Sequence, residues 1–336
     1  MDFIGLFVRG GIEVALRAHG GFANIHSEKC RAEHSGKFGF EIECDLPEAE
    51  WAGQEELARF HYSLTIHDLD QEFPNIEEHL YRNGSLLLTR KKGDNLIIQG
   101  QNMGQFSKTY SALQFFMEIP LALLLRNMGL YRIDPIGAKE PDRSDSDSMK
   151  LEARGHNLAS VLSRLKHDER MRETIMDWME LVVPGVEGIR TEQQLLDSKT
   201  ALLFKERGIG RRFPAHMVSD GTVYAPSLLM AILGPPHPYR LTLIEEPERG
   251  LHPVAIRELI DLMREQLTPR NPIWSTTHSE SVVRGLDLEE LILVDKLDGR
   301  TRMKSAASGG LTQADLGPLG LDEAWLSNLL DGGLPW

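Results

Sequence analysis

A chain of 336 residues, 41% apolar and 26% charged, with 30 glycines and 17 prolines, can bury one large or two modest cores and is neither disordered nor fibrous in composition. Its net charge of −13 argues against a free-standing nucleic-acid binder, which carries a basic footprint. The basic clusters Arg90-Lys91-Lys92 and Arg211-Arg212 are candidates for a local basic face, although such clusters are more often solvated turns. Cys30 and Cys44 are the only cysteines, too few for a disulfide frame and suited to a reducing compartment. The run Phe3 to Val8 is too short for a signal segment, and no apolar stretch of about 18 residues follows, so a cytoplasmic protein without a membrane span is expected.

Residues 1–21 carry apolar positions at three- and four-residue steps with glycines at the breaks, a helical pattern. From Gly36 to about Gln101 the period shifts to two. FGFEIEC, FHYSLTI, EEHLYRNG, SLLLTRK and NLIIQG are short alternating runs, with Arg82-Asn83-Gly84-Ser85 as a turn, which predicts an antiparallel sheet lobe. Residues 108–130 predict one apolar helix or a pair. The stretch 138–150 is polar and predicts an exposed loop, and His156 to about Leu181 is amphipathic and helical. From Ala201 strand and helix alternate: strands at 201–206, 240–245, 272–276 and 290–295, helices at 220–233 and 254–266, and a closing helix at 323–330. The expected organisation is therefore 1–107 (N-terminal helix and β lobe), 108–200 (helical region with the loop) and 201–336 (α/β core).

The most informative stretch is Leu241 to Pro253, LTLIEEPERGLHP. A short apolar run ends in Glu245 and Glu246, then Pro247 and a third acid, Glu248. A buried strand ending in carboxylates sets them at the carboxyl edge of a sheet, where ligands bind in open α/β folds. Upstream, Ser219-Asp220-Gly221-Thr222 opens an apolar helix with an N-capping serine. Downstream, a second short strand ends in Thr276, Thr277 and His278.

This order resembles the C-terminal half of AAA-type ATPases of the ABC/SMC/RecF class. VSDGT looks like the signature, LTLIEE like the Walker B strand, GLHP like the D-loop and His278 like the switch histidine. HNLASVLSRLK (156–166), VEGIR (186–190) and GRRFPA (210–215) also read like stretches of that family. The resemblance implies an α/β fold: an ABC-ATPase-like P-loop NTPase head with an antiparallel β lobe and a helical insertion. It implies ATP and Mg²⁺ as ligands, with Glu245 holding the metal through water, Glu246 as catalytic base and His278 sensing the γ-phosphate. Glu248 is carried over with the nucleotide-binding residues. Ser219 and Gly221 would touch the ATP of a second copy, so a homodimer with nucleotide between its heads is implied, working a DNA-linked or effector-nuclease-linked process such as repair or phage defence. Most ABC proteins have Asp at the position of Glu245, and Gly at that of Asp220. A charge at Asp220 is tolerable only if it points away or meets Arg211 or Arg212.

One part is missing. No G-x-x-x-x-G-K-[ST] occurs; at Gly36-Lys37 the following residue is Phe38 and Arg31 stands where the first Gly should be. The family's phosphate-cradling strand and loop would fall just ahead of Met1, leaving a gap in the sheet and little ATP affinity in these residues alone. The alternatives are a non-catalytic, partner-binding subunit and a carboxylate-metal nuclease. The second would need an Asp-x-Asp after a strand, whereas Asp145-Ser146-Asp147 lies in the polar loop. His216, His237 and His252 lack the spacing of metal ligands.

Overall fold

The computed structural model describes residues 1–25, 36–51, 54–67, 76–91, 95–142, 150–165, 168–195, 197–235, 237–312 and 314–334. Cys30, Arg31, Lys92 and the stretch 143–149 with its Asp145-Ser146-Asp147 lie outside these. The chain divides into two compact units. The first is Met1–Gly129 with His237–Thr242 and Thr268–Pro272; the second is Leu130–Pro236 with Leu243–Leu267 and Ile273–Trp336.

In the first unit, α1 (Asp2–Gly10) and α2 (Ile12–Ala18) are separated at Gly11, and α3 (Phe22–Ile25) follows. Gly11 has φ +84°, and a Cβ there would lie 2.6 Å from the Thr109 carbonyl, which the Ile12 N–H reaches at 2.7 Å. Only glycine fits so close an approach. Next come β1 (Lys37–Trp51), β2 (Gln54–His67), β3 (Ile76–Arg82), β4 (Ser85–Arg90), β5 (Ile97–Ile98) and β6 (Gln101–Asn102), an antiparallel meander in chain order. The period of two is literal. Ala58, Phe60, Tyr62, Leu64 and Ile66 of β2 are buried while the residues between them face outward. Cys44 of β1 has a free thiol, pushed up to about 11 by burial and then by Asp45 and Glu43. The expected helical region at 108–130 is a 3₁₀ turn (Ala112–Phe115) and α4 (Pro120–Arg126).

A buried ion pair ties this sheet to the chain that follows it. Glu78 is fully buried; its carboxylate accepts from Tyr62 (2.8 Å), Ser111 Oγ (2.6 Å) and the Ala112 N–H (2.9 Å), with Arg90 at 3.3 Å. Arg90 also donates to the Ser107 carbonyl at 2.9 Å and lies over the Phe106 ring.

The second unit contains β7 (Gly129–Tyr131, from Leu130 on), α5 (Pro135–Ala138), α6 (Leu158–Arg164) and α7 (Glu169–Val182), then β8 (Val186–Gln193), β9 (Thr200–Glu206) and β10 (Arg212–Pro214). The expected helix 156–181 is thus two helices; Asp168 caps the second, its side chain accepting from the Met171 N–H. The strand expected at 201–206 exists but does not join a parallel core. It pairs antiparallel with β8 and β10. The connection from β8 spans only a few residues, and so short a link favours a hairpin over a crossover.

α8 (Asp220–Leu233) is the centre of this unit, buried from Thr222 to Ile232 and packed against Leu158, Met179, Leu202 and Phe204. A helix apolar on every side is one surrounded by other elements. β11 (Thr242–Glu245), α9 (Pro253–Gln266) and β12 (Ile273–Thr276) follow. Thr242 N–H donates to Pro272 O and Glu246 N–H to Thr276 O, the same four-residue advance on each strand, so β11 and β12 run parallel. The sheet order is β12-β11-β7; among the described residues no strand pairs with the outer edge of β12, where Trp274 is 54% exposed. After α10 (Glu280–Gly285), the strand expected at 290–295 is β13 (Ile292–Leu297), which pairs with β14 (Arg300–Ser305) as a separate hairpin. The closing helix is α11 (Leu321–Leu326).

Two outcomes follow. Glu78→Ala strands the Arg90 guanidinium in the interior and should cost about 3–5 kcal/mol in guanidinium denaturation, the range for breaking a buried pair; a loss below about 1 kcal/mol would show the pair to be solvated. In the second unit, Arg264 holds Glu290 and Arg284 holds Asp322, lowering both carboxyl pKa values first by hydrogen bonding. A depressed folded-state pKa adds stability above the unfolded value, lost as pH falls through the folded one. Stability should therefore drop below about pH 4.5, and Glu290→Gln with Asp322→Asn should shrink the difference in denaturation midpoint between about pH 7 and about pH 3.5.

Candidate functional site

The site is built on the turn that ends β11. Thr242, Leu243 and Ile244 are buried, Glu245 is half-buried, and Glu246 turns outward with φ +48°. A left-handed backbone costs a residue with a Cβ about 1–2 kcal/mol, so other contacts must hold it. Two do so. The Glu246 N–H donates to Thr276 O of β12 at 2.9 Å, and its carbonyl accepts from the Tyr224 hydroxyl of α8 at 2.8 Å. Burial, then the neighbouring carboxylates of Glu248 and Glu246, raises the pKa of that tyrosine against the pull of Arg249, so the hydroxyl keeps its proton. Beyond Glu246 the chain closes a tight turn, with Arg249 N–H on Glu246 O and Leu251 N–H on Glu248 O.

Each acid has a distinct surrounding. The Glu245 carboxylate is paired with Arg132 Nε at 2.5 Å. The Glu246 side chain is exposed. Glu248 accepts from Thr277 Oγ1 at 2.7 Å through one oxygen, while its other oxygen is buried with no hydrogen-bond partner among the described residues. Thr277 Oγ1 also accepts from the Ser279 N–H, so this hydroxyl fastens Glu248 to the loop carrying His278, which is exposed. Because Glu246 is bonded to Thr276, two residues before His278, both belong to one edge of the sheet.

The start of α8 adjoins the same turn. Ser219 caps it, its Oγ accepting from Thr222 N–H at 3.1 Å. A Cβ on Gly221 would lie 2.5 Å from the Gly250 carbonyl, so the helix start rests directly on the turn. Asp220 does not meet Arg211 or Arg212. Its partner is Lys139 at 2.5 Å, whose ammonium also donates to Val218 O, while Arg211 lies over the Phe213 ring. Lys139 ends the short helix α5 that packs beside α8, so the nearest cation comes from an element distant in sequence. Sequence reasoning did not find Arg132, Lys139 or Tyr224, and it noted Thr277 beside His278 without giving it a role; the partner of each is set by folding.

Among the described residues no group of three or more His, Cys, Asp or Glu side chains is placed to hold a metal by itself. Mg²⁺ needs no such cluster, since it takes one or two carboxylates and completes its shell with water and phosphate oxygens. Glu245 fits as the single acid, provided that the ion displaces or shares its carboxylate with Arg132. Gly221→Ala should press a methyl on the Gly250 carbonyl and lower the denaturation midpoint by more than Ser219→Ala, which removes a cap worth about 1 kcal/mol. A raised midpoint, the usual gain for alanine within a helix, would show that the contact is loose.

No helix among the described residues is long and apolar enough to cross a membrane. A family model described as "AAA domain, putative AbiEii toxin, Type IV TA system" matches residues 53–284. The chain is similar to an SMC head bound to the C-winged helix domain of ScpA, at 12% identity over 79% of this chain and 78% of that chain, with a TM-score of 0.42. It is likewise similar to the SMC head domain with an extended coiled coil bound to the C-terminal domain of ScpA, derived from Pyrococcus furiosus (12% identity, 84% and 82%, TM-score 0.40). The SMC head domain from Thermotoga maritima is a further likeness (12% identity, 73% and 74%, TM-score 0.35). No curated protein matches the chain. With more than half of its length matched by one family model, the chain belongs to this AAA-domain family.

Proposed function

We propose that the chain is the catalytic half of an ATP-hydrolysing head that works as a pair of copies with nucleotide between them. The observation that carries this reading is the clamped turn. An acid in left-handed conformation leaves a core strand, bonded on one side to the strand leading to His278 and on the other to a helix opened by Ser219 and Gly221. Glu246 points to solvent and is free to orient or deprotonate a water. His278, on a loop fastened through Thr277 to Glu248, faces the reacting phosphate. Glu245 would hold Mg²⁺ through a bound water, and the ion would supply charge neutralisation across the phosphates. Ser219 and Gly221 serve the nucleotide of the second copy. The paired heads drive a DNA-linked or effector-nuclease-linked process in the cytoplasm, of the kind that serves repair or phage defence.

The residues in hand contain no phosphate-cradling loop of the G-x-x-x-x-G-K-[ST] type. Charge-assisted phosphate bonds are worth about 1.5–3 kcal/mol each, so the absence of two weakens ATP binding by about two to four decades. These 336 residues should therefore bind ATP weakly. The same observation favours the second reading, a non-catalytic subunit that binds a partner.

Two measurements separate the readings. In-frame codons ahead of Met1 that spell a strand and a phosphate loop favour the ATPase, and a stop codon there favours the subunit. In the polypeptide that hydrolyses ATP, Glu246→Gln should lower kcat by about 10²-fold or more while nucleotide stays bound. Normal turnover in that variant would remove Glu246 from its role.

A further inference from the structure

We propose that Tyr224 is a positioning residue through which the start of α8 sets the direction of the Glu246 side chain, so that contact at Ser219 and Gly221 is felt at the catalytic acid of the same copy. This rests on the reading of Glu246 as the base. The geometry is a two-point attachment. Gly221 and Tyr224 are three residues apart on α8 and therefore share a face. Gly221 touches the Gly250 carbonyl at one end of the turn, and the Tyr224 hydroxyl donates to the Glu246 carbonyl at the other. A shift of the helix start must carry both ends of the turn with it.

The tie acts on a residue with little conformational freedom of its own. Glu246 holds φ +48°, its N–H is fixed to Thr276 O, and its carbonyl is fixed by Tyr224. With both peptide groups held, the Cα–Cβ direction of Glu246 is determined, and rotation of either group swings the carboxylate. The tyrosine is 1% exposed, so no solvent competes for its proton. The Glu246 carbonyl also accepts from the Arg249 N–H at 3.1 Å, so removing the hydroxyl does not leave that oxygen bare. Loss of the tie therefore separates from loss of the fold.

Tyr224→Phe keeps the ring and deletes the hydroxyl. Without nucleotide, amide exchange in the turn 246–251 should quicken by about tenfold while exchange in the middle of α8 stays as in the parent, since the lost bond is confined to the turn. During ATP turnover, kcat should fall by about tenfold with KM changed less than about twofold, the pattern of a group that acts only as the reaction proceeds. Unchanged exchange in the turn overturns the proposal, as does an unchanged kcat or an equal rise in KM. The failure of the underlying reading looks different: Glu246→Gln would then turn over normally. An inert Glu246→Gln beside a fully active Tyr224→Phe sinks the tie alone.

Discussion

The second unit depends most on the three-way junction at Glu246, where strand, neighbouring strand and buried helix are joined through one peptide pair. The left-handed turn is unfavourable by itself, and the hydrogen bonds to Thr276 and Tyr224 oppose that preference. Because the donor on one side is a side chain of α8, the turn keeps this bond only while the helix is in place. The core around α8 is therefore a precondition of the site, which explains why so apolar a helix stands immediately behind so charged a loop.

Charge is distributed around this junction with a clear logic. The acids that border it are held to different degrees: Glu245 by Arg132, Asp220 by Lys139, Glu248 by the Thr277 hydroxyl, and Glu246 only through its backbone. Pairing holds these neighbours and leaves the Glu246 carboxylate facing solvent at the end of β11. In a chain of net charge −13, such pairing neutralises charge locally around the turn. The charge of Asp220 at the start of α8 is met by Lys139.

The first unit solves a different problem. Its sheet is polar on one face and apolar on the other, and the segment leaving it is anchored by a buried carboxylate satisfied four ways. A buried carboxylate held by three hydrogen bonds and an ion pair adds directional specificity that apolar packing lacks. Glu78 therefore fixes where residues 107–112 run, and those residues in turn support Gly11 between the first two helices.

Much of this was legible in the residues alone. The period of two located β1 to β5, the serine ahead of an apolar run located α8, and the apolar tetrad before Glu245 located β11, because side-chain periodicity and capping are local properties. The order of acid turn, serine-led helix and imidazole loop also pointed to one edge of one sheet. Pairing was not legible. β9 reads like a core strand yet joins β8 and β10, and β13 forms a hairpin with a β14 too polar and exposed to announce itself. Nor were Tyr224, Arg132, Lys139 and Thr277 visible as site residues. A sequence states which face of an element is apolar, but which strand lies beside another, and which lone hydroxyl or cation meets a given acid, is decided only when distant segments pack together.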